Sequence, residues 1–165
     1  MPFFNAPALY RLFIVPTSTH TLYNPPAGPS LLNKDQMDFA QAKPFAHIAT
    51  HSTQSAQSIE AAHVRVVNAG ILMISDLKGC NPSIALRNLR DNPKVMLTLS
   101  DEGYQQRLNI WGEAFVSFDV NLNTIMLGYD EARRNVEPRP IIVLKVTACA
   151  EYFAQAVGTQ TEAAR

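Results

Sequence analysis

The stretch with the clearest chemical promise is Leu77-Lys78-Gly79-Cys80-Asn81-Pro82-Ser83. Lys78 supplies a cation, and Gly79 lets a ligand come close to the backbone. Asn81 and Pro82 form an N-cap and first-position pair, opening a helix whose free amides and Ser83 hydroxyl would face an anion. Two arginines, Arg65 and Arg107, read as lying on neighbouring strands, where they would add bidentate contacts to the same anion. The plainer account is a solvated Lys78 and an Asn81 that only caps, and spacing alone leaves both accounts open. Neither GxGxxG nor GxxxxGK[ST] occurs in the chain, so a nucleotide phosphate would have to be held by a loop of this other kind.

Other constellations carry less. His47 and His51 are four apart and share a strand face if the strand runs that far, with His63 as a third member of a metal or haem set. No paired carboxylate or cysteine ligand accompanies them, so polar strand ends are the better account. Ser75-Asp-Leu-Lys78 matches the S-x-x-K pattern of acyl enzymes, but it follows a strand and lacks the companion motifs. Cys80 precedes a helix start, where the dipole lowers a thiol pKa, whereas Cys149 reads as a strand residue of the core. Two cysteines in a chain of this length build no disulfide framework, which fits a reducing cytoplasm. Trp111 reads as a core or interface aromatic.

These residues need elements to hold them. Seven of the eleven prolines lie in residues 1–44, and Tyr23 to Ser30 can be neither helix nor central strand, so residues 1–30 read as an arm. Its Phe3, Phe4, Tyr10, Leu12, Phe13 and Ile14 imply that it packs on the domain or on a partner subunit. Asn33 caps a helix through Ala42 with Met37, Phe39 and Ala40 on its inner side, and Pro44 lies beyond its end. Strand periodicity follows at Phe45–Thr50, Ala62–Val67 and Ile71–Ser75, an antiparallel meander with a loop from His51 to Glu60 and a tight turn at Asn68-Ala-Gly70. The helix opened by Asn81-Pro82 carries Ala85, Leu86 and Leu89 on one face and stops at Asn92 before Pro93. Two strands, Lys94–Leu99 and Arg107–Phe118, come next, the second bending at Gly112. A helix then places Leu122, Ile125, Met126 and Tyr129 together, and Ile141–Ala150 is the last strand. Six strands with two or three helices predict a mainly β (α+β) fold, a closed or half-closed antiparallel barrel with helical covers.

Composition narrows the classes of function. The chain has 165 residues, enough for one domain, with 47% apolar and 17% charged residues, so it has the material for one core. Lys plus Arg and Asp plus Glu both number 14, which argues against a general nucleic-acid or acidic-membrane binder. The apolar run Leu12–Val15 is too short for a span or a signal-peptide core, so the protein is expected to be soluble and cytoplasmic.

Taken together, several segments resemble the pyridoxamine 5′-phosphate oxidase-like, FMN-binding split-barrel family. They are Val64-Arg-Val-Val67, Gly70-Ile-Leu-Met-Ile-Ser75, Gly79-x-Asn81 leading into Ser83-Ile-Ala-Leu-Arg-Asn-Leu-Arg-Asp-Asn-Pro93, Val95-Met-Leu-Thr-Leu99 and Leu108-Asn-Ile-Trp-Gly-Glu-Ala114. The resemblance covers roughly residues 31–150. It implies a six-stranded antiparallel split β-barrel domain over residues 31–153, flanked by the 1–30 arm and a 154–165 tail. It also implies a homodimer with FMN at the subunit interface, and an oxidoreductase acting on a small-molecule substrate. Carried over, Arg65 and Val66 would flank the isoalloxazine or ribityl chain, Ser75 and Lys78 would reach the phosphate, and Asn81 and Ser83 would complete that pocket. Arg107 would lie on the strand facing the flavin. The family's true oxidases carry an Arg- and His-bearing segment after the last strand that holds pyridoxal phosphate; Glu151–Arg165 lacks it, so a different substrate is expected. A deazaflavin in place of FMN, a flavin-binding sensor or carrier without turnover, and a haem-binding relative using His47, His51 or His63 are the alternatives.

Overall fold

The structure is a computed structural model and describes residues 23–42, 45–53, 55–78, 82–127 and 139–154. Six strands and three helices follow in the order α1 (Lys34–Gln41), β1 (Phe45–His51), β2 (Ala56–Asn68), β3 (Ile71–Lys78), α2 (Pro82–Asp91), β4 (Lys94–Ser100), β5 (Gln106–Ser117), α3 (Val120–Leu127) and β6 (Ile141–Phe153). The strands close an antiparallel barrel in the order β1-β2-β3-β6-β5-β4. Alternating apolar residues fill it: Ile48, Leu72, Ile74, Leu97, Ile110 and Leu144 are wholly buried. The expected class of fold is the one found. Among the described residues no helix is long and apolar enough to cross a membrane.

Each helix covers the barrel with the face its sequence supplies. Asn33 and Gln36 close a reciprocal capping box on α1, the Gln36 N–H donating to Asn33 Oδ1 at 2.9 Å and the Asn33 N–H to Gln36 Oε1 at 3.0 Å. The helix buries Ala40, with Met37 and Phe39 against the core. On α2, Ala85 and Leu89 are buried beside a polar residue, Asn88, that is fully buried as well. On α3, Met126 packs with Met73 and Ile141 outside the barrel. The expected face of α3 is only partly realised: Leu122 joins this cluster, but Ile125 is 48% exposed and Tyr129 lies outside the described residues.

Two strand boundaries correct the sequence reading. The segment His51–Glu60 is not one long loop, because β2 already begins at Ala56. Its Gln and Ser content disguised an alternating strand in which Ile59 and Ala61 are buried while Ser58 and Glu60 are exposed. Further along β2 the core residues are Val64 and Val66, so the buried set changes parity between residues 61 and 64, and Arg65 is thereby left outside. At the other end, β6 runs on to Phe153 instead of ending at Ala150.

The expected bend at Gly112 is a β-bulge, a register shift against β6 between Trp111 and Gly112. A Cβ at Gly112 would run into the backbone oxygen of Lys145 and come within 2.7 Å of Leu144 Cδ1, so only glycine fits.

Candidate functional site

The β2–β3 hairpin holds the largest share of the expected site. Asn68 Oδ1 accepts a hydrogen bond from the Gly70 N–H at 2.9 Å, tightening the turn that fixes the register. That register sets Arg65 opposite Met73 and His63 opposite Ser75. Arg65 and Ser75 are therefore diagonal neighbours, with Cα atoms about 7–8 Å apart. Arg65 is exposed, whereas Ser75 is 2% exposed and its Oγ has no hydrogen-bond partner. An unpaired buried hydroxyl is costly, which sets Ser75 apart from the apolar residues around it.

Val66 takes the other side of the strand. Its side chain packs against the core and its N–H donates to Gln41 Oε1 at 3.0 Å, so it does not share a face with Arg65. Lys78 ends β3 opposite Glu60. Asn81 lies outside the described residues, and Ser83 is exposed in the first turn of α2. That turn carries no acidic side chain, which leaves the positive end of the helix dipole uncompensated by its own residues.

Arg107 is elsewhere. The expectation that it neighbours Arg65 is wrong, because β2 pairs with β1 and β3 while β5 pairs with β4 and β6, three strands away either way round the barrel. Residue type along a strand does not name its pairing partner, so adjacency of β2 and β5 is decided only by the closed barrel. The Arg107 guanidinium lies 4.8 Å above the Tyr152 ring. Beyond it on the same face come Asn109 and Trp111, 9% and 4% exposed, with Asn109 Oδ1 and Trp111 Nε1 buried and unpaired. The reading from sequence missed Asn109. Its signal was the alternation of Arg107, Asn109 and Trp111 with the core residues Leu108 and Ile110.

The histidines do not converge. His47 is exposed opposite Glu60 and Thr98, His63 stands opposite Ser75, and His51 Nε2 lies 2.9 Å from Asn92 Nδ2. Among the described residues no group of three or more His, Cys, Asp or Glu is placed to hold a metal ion. Burial, and after it the charge of Lys94, lowers the His51 pKa below its ordinary value. Ser75 and Lys78 sit on a strand, so the S-x-x-K match has no helix to present it.

No protein-family model and no curated protein sequence matches the chain, so the likeness to known proteins is structural. HupZ of Group A Streptococcus superposes with a TM-score of 0.59 at 14% identity over 74% of this chain and 96% of that one. A Lactobacillus delbrueckii protein provisionally named a pyridoxamine 5′-phosphate oxidase gives 0.55 at 16% identity over 73% and 93%. The conserved protein Rv2991 of Mycobacterium tuberculosis gives 0.55 at 15% identity over 84% and 99%. The fold of this chain is thus that of the pyridoxamine 5′-phosphate oxidase-like split barrels.

Proposed function

We propose that this chain is an FMN-binding oxidoreductase of the split-barrel class, a cytoplasmic homodimer that holds the flavin at its subunit interface. One arrangement carries the reading. Arg65 and the unpaired Ser75 hydroxyl share a face, and β3 leads from them through Lys78 into a helix whose first turn has no acidic residue. These groups suit a phosphate ester on a polar chain: a guanidinium, a hydroxyl, an ammonium and a helix N-terminus all favour an anion. The flavin would supply the redox chemistry, and these residues would bind and orient it. The name of the Lactobacillus protein supports the same class.

The test is a titration of the purified protein with FMN, followed by calorimetry and by thermal unfolding. Binding in the micromolar range or tighter and a raised unfolding temperature are expected. No heat and no protection at high protein concentration would overturn the reading. Reduction of the bound flavin by NADH or NADPH then separates an enzyme from a carrier, and a Soret band in the isolated protein would point to haem instead.

A further inference from the structure

Halfway along β2 the strand loses a neighbour. In the barrel β2 lies between β1 and β3, but β1 pairs with it only from His51 opposite Ala56 to Ala46 opposite Ala61. Beyond that point, over residues 62–68, β2 has β3 on one side and an edge without a strand on the other. The same stretch is irregular at both ends. The buried set changes parity between residues 61 and 64, and the pairing with β3 shifts between Val66 and Asn68. Arg65 sits between the two irregularities, where a slip of one residue would turn its side chain to the other face.

Gln41, the last residue of α1, meets this edge: its Oε1 accepts the Val66 N–H at 3.0 Å. It does so from a fixed post. The capping box closes one end of α1, the Ala42 N–H donates to the Asp38 oxygen at 3.0 Å at the other, and the wholly buried Ala40 holds the helix down between them. Successive residues of a strand send their N–H groups to opposite edges and their side chains to opposite faces. A bond from Val66 to α1 therefore directs the Arg65 N–H to β3, where Met73 stands opposite. It also sends the Arg65 side chain outward, because that of Val66 is turned to the core. An acceptor at this place finds a donor only when an even-numbered residue of the stretch lies against it, so it selects one of the two parities. We infer that Gln41 is a positioning residue for Arg65: it holds the open edge of β2 and thereby keeps the guanidinium on the outer face, diagonal to Ser75. Its bearing on ligand binding rests on the flavin reading above, whereas its hold on the strand does not.

Amide hydrogen exchange tests the hold on the strand with no ligand present. Gln41 is exposed, so its variants leave the core untouched. In Gln41→Ala the Val66 and Arg65 amides should both exchange about fivefold faster, the worth of one ordinary hydrogen bond. Leu97 in β4 should keep its rate, which separates a local opening from a loss of global stability. Gln41→Glu keeps an acceptor in the same place and should exchange like the unaltered protein. Unchanged Val66 exchange, a faster Val66 beside an unchanged Arg65, or a Gln41→Glu protein as open as Gln41→Ala would each overturn the inference. A titration with FMN then reads the consequence. Gln41→Ala should weaken FMN about fivefold when Arg65 is present and hardly at all beside Arg65→Ala, since a residue that acts through another adds nothing once that one is gone. Equal losses in both backgrounds would show that Gln41 does not act through Arg65, and would overturn the inference as well. If the unaltered protein takes up no FMN, the flavin reading falls, and the exchange rates still decide whether Gln41 holds Arg65 in place.

Discussion

Asn92, just past the end of α2, holds His51 at the end of β1: the Asn92 Nδ2 and His51 Nε2 atoms are 2.9 Å apart. Asn92 Oδ1 accepts the Lys94 N–H at 3.1 Å, which turns the amide nitrogen toward the ring. The nitrogen can only donate, so His51 Nε2 must accept and the ring must be neutral. Burial, with the Lys94 charge second, lowers the His51 pKa in the same sense.

The pH dependence follows from this pair. The unfolded chain binds the His51 proton at a higher pH than the folded chain does, so stability rises with pH between the two pKa values. The contribution is complete above about 6.5, the unfolded value, and fades as pH falls through the folded one. Urea midpoints taken from pH 7.5 down to 5 should therefore decline, and a His51→Gln variant should decline less. An identical slope for both proteins would show that the ring does not titrate this way.

Next to that pair, Asn88 ties three segments together inside the fold. It accepts from Ser55 Oγ at 2.7 Å and donates to Thr50 Oγ1 at 3.3 Å, with Asn88 and Thr50 both fully buried. An Asn88→Leu change strands both hydroxyls, and each orphan costs on the order of 1–3 kcal/mol. Equilibrium unfolding should show a loss of about 2–4 kcal/mol. A loss below about 0.5 kcal/mol, the range of ordinary surface changes, would mean that the network contributes nothing.

Gly112 gives a sharper case, because the obstacle to a side chain there is backbone. Gly112→Ala sets a methyl group against the Lys145 oxygen and Leu144 Cδ1, and neither the bulge nor β6 can move without breaking the barrel register. The expected cost is about 3 kcal/mol or more, read as a lowered unfolding temperature or loss of soluble protein. A variant as stable as the original would show that β6 gives way at Lys145.

What the sequence disclosed and what it hid divide along the range of the interactions. Local chemistry was readable: Asn33 as a cap, Pro82 as the first residue of α2 and Asn68 as a turn residue each depend on neighbours a few residues off. Pairing over long separations was not. Nothing within Arg65 or Arg107 says that β3 and β6 intervene between their strands. The first half of β2 was hidden because its outward residues, Ser58 and Glu60, have the composition of a loop. Asn109 and Trp111 went unread as a pair since their unpaired atoms exist only once the strands have formed around them.

Lys78 offers the test that bears most directly on function. It ends β3 opposite Glu60 and is the cation nearest in sequence to the start of α2 at Pro82. If it contacts the phosphate of FMN, Lys78→Ala should weaken FMN by about 1.5–3 kcal/mol, the range of a hydrogen bond to a charged group. Riboflavin has no phosphate, so its affinity should hardly change. A solvated Lys78 makes the opposite forecast, since its removal would alter neither ligand. Titrating both ligands against both proteins separates the two accounts. Equal losses for FMN and riboflavin would count against a phosphate contact, because a disturbed fold or a lysine against the ring weakens both alike.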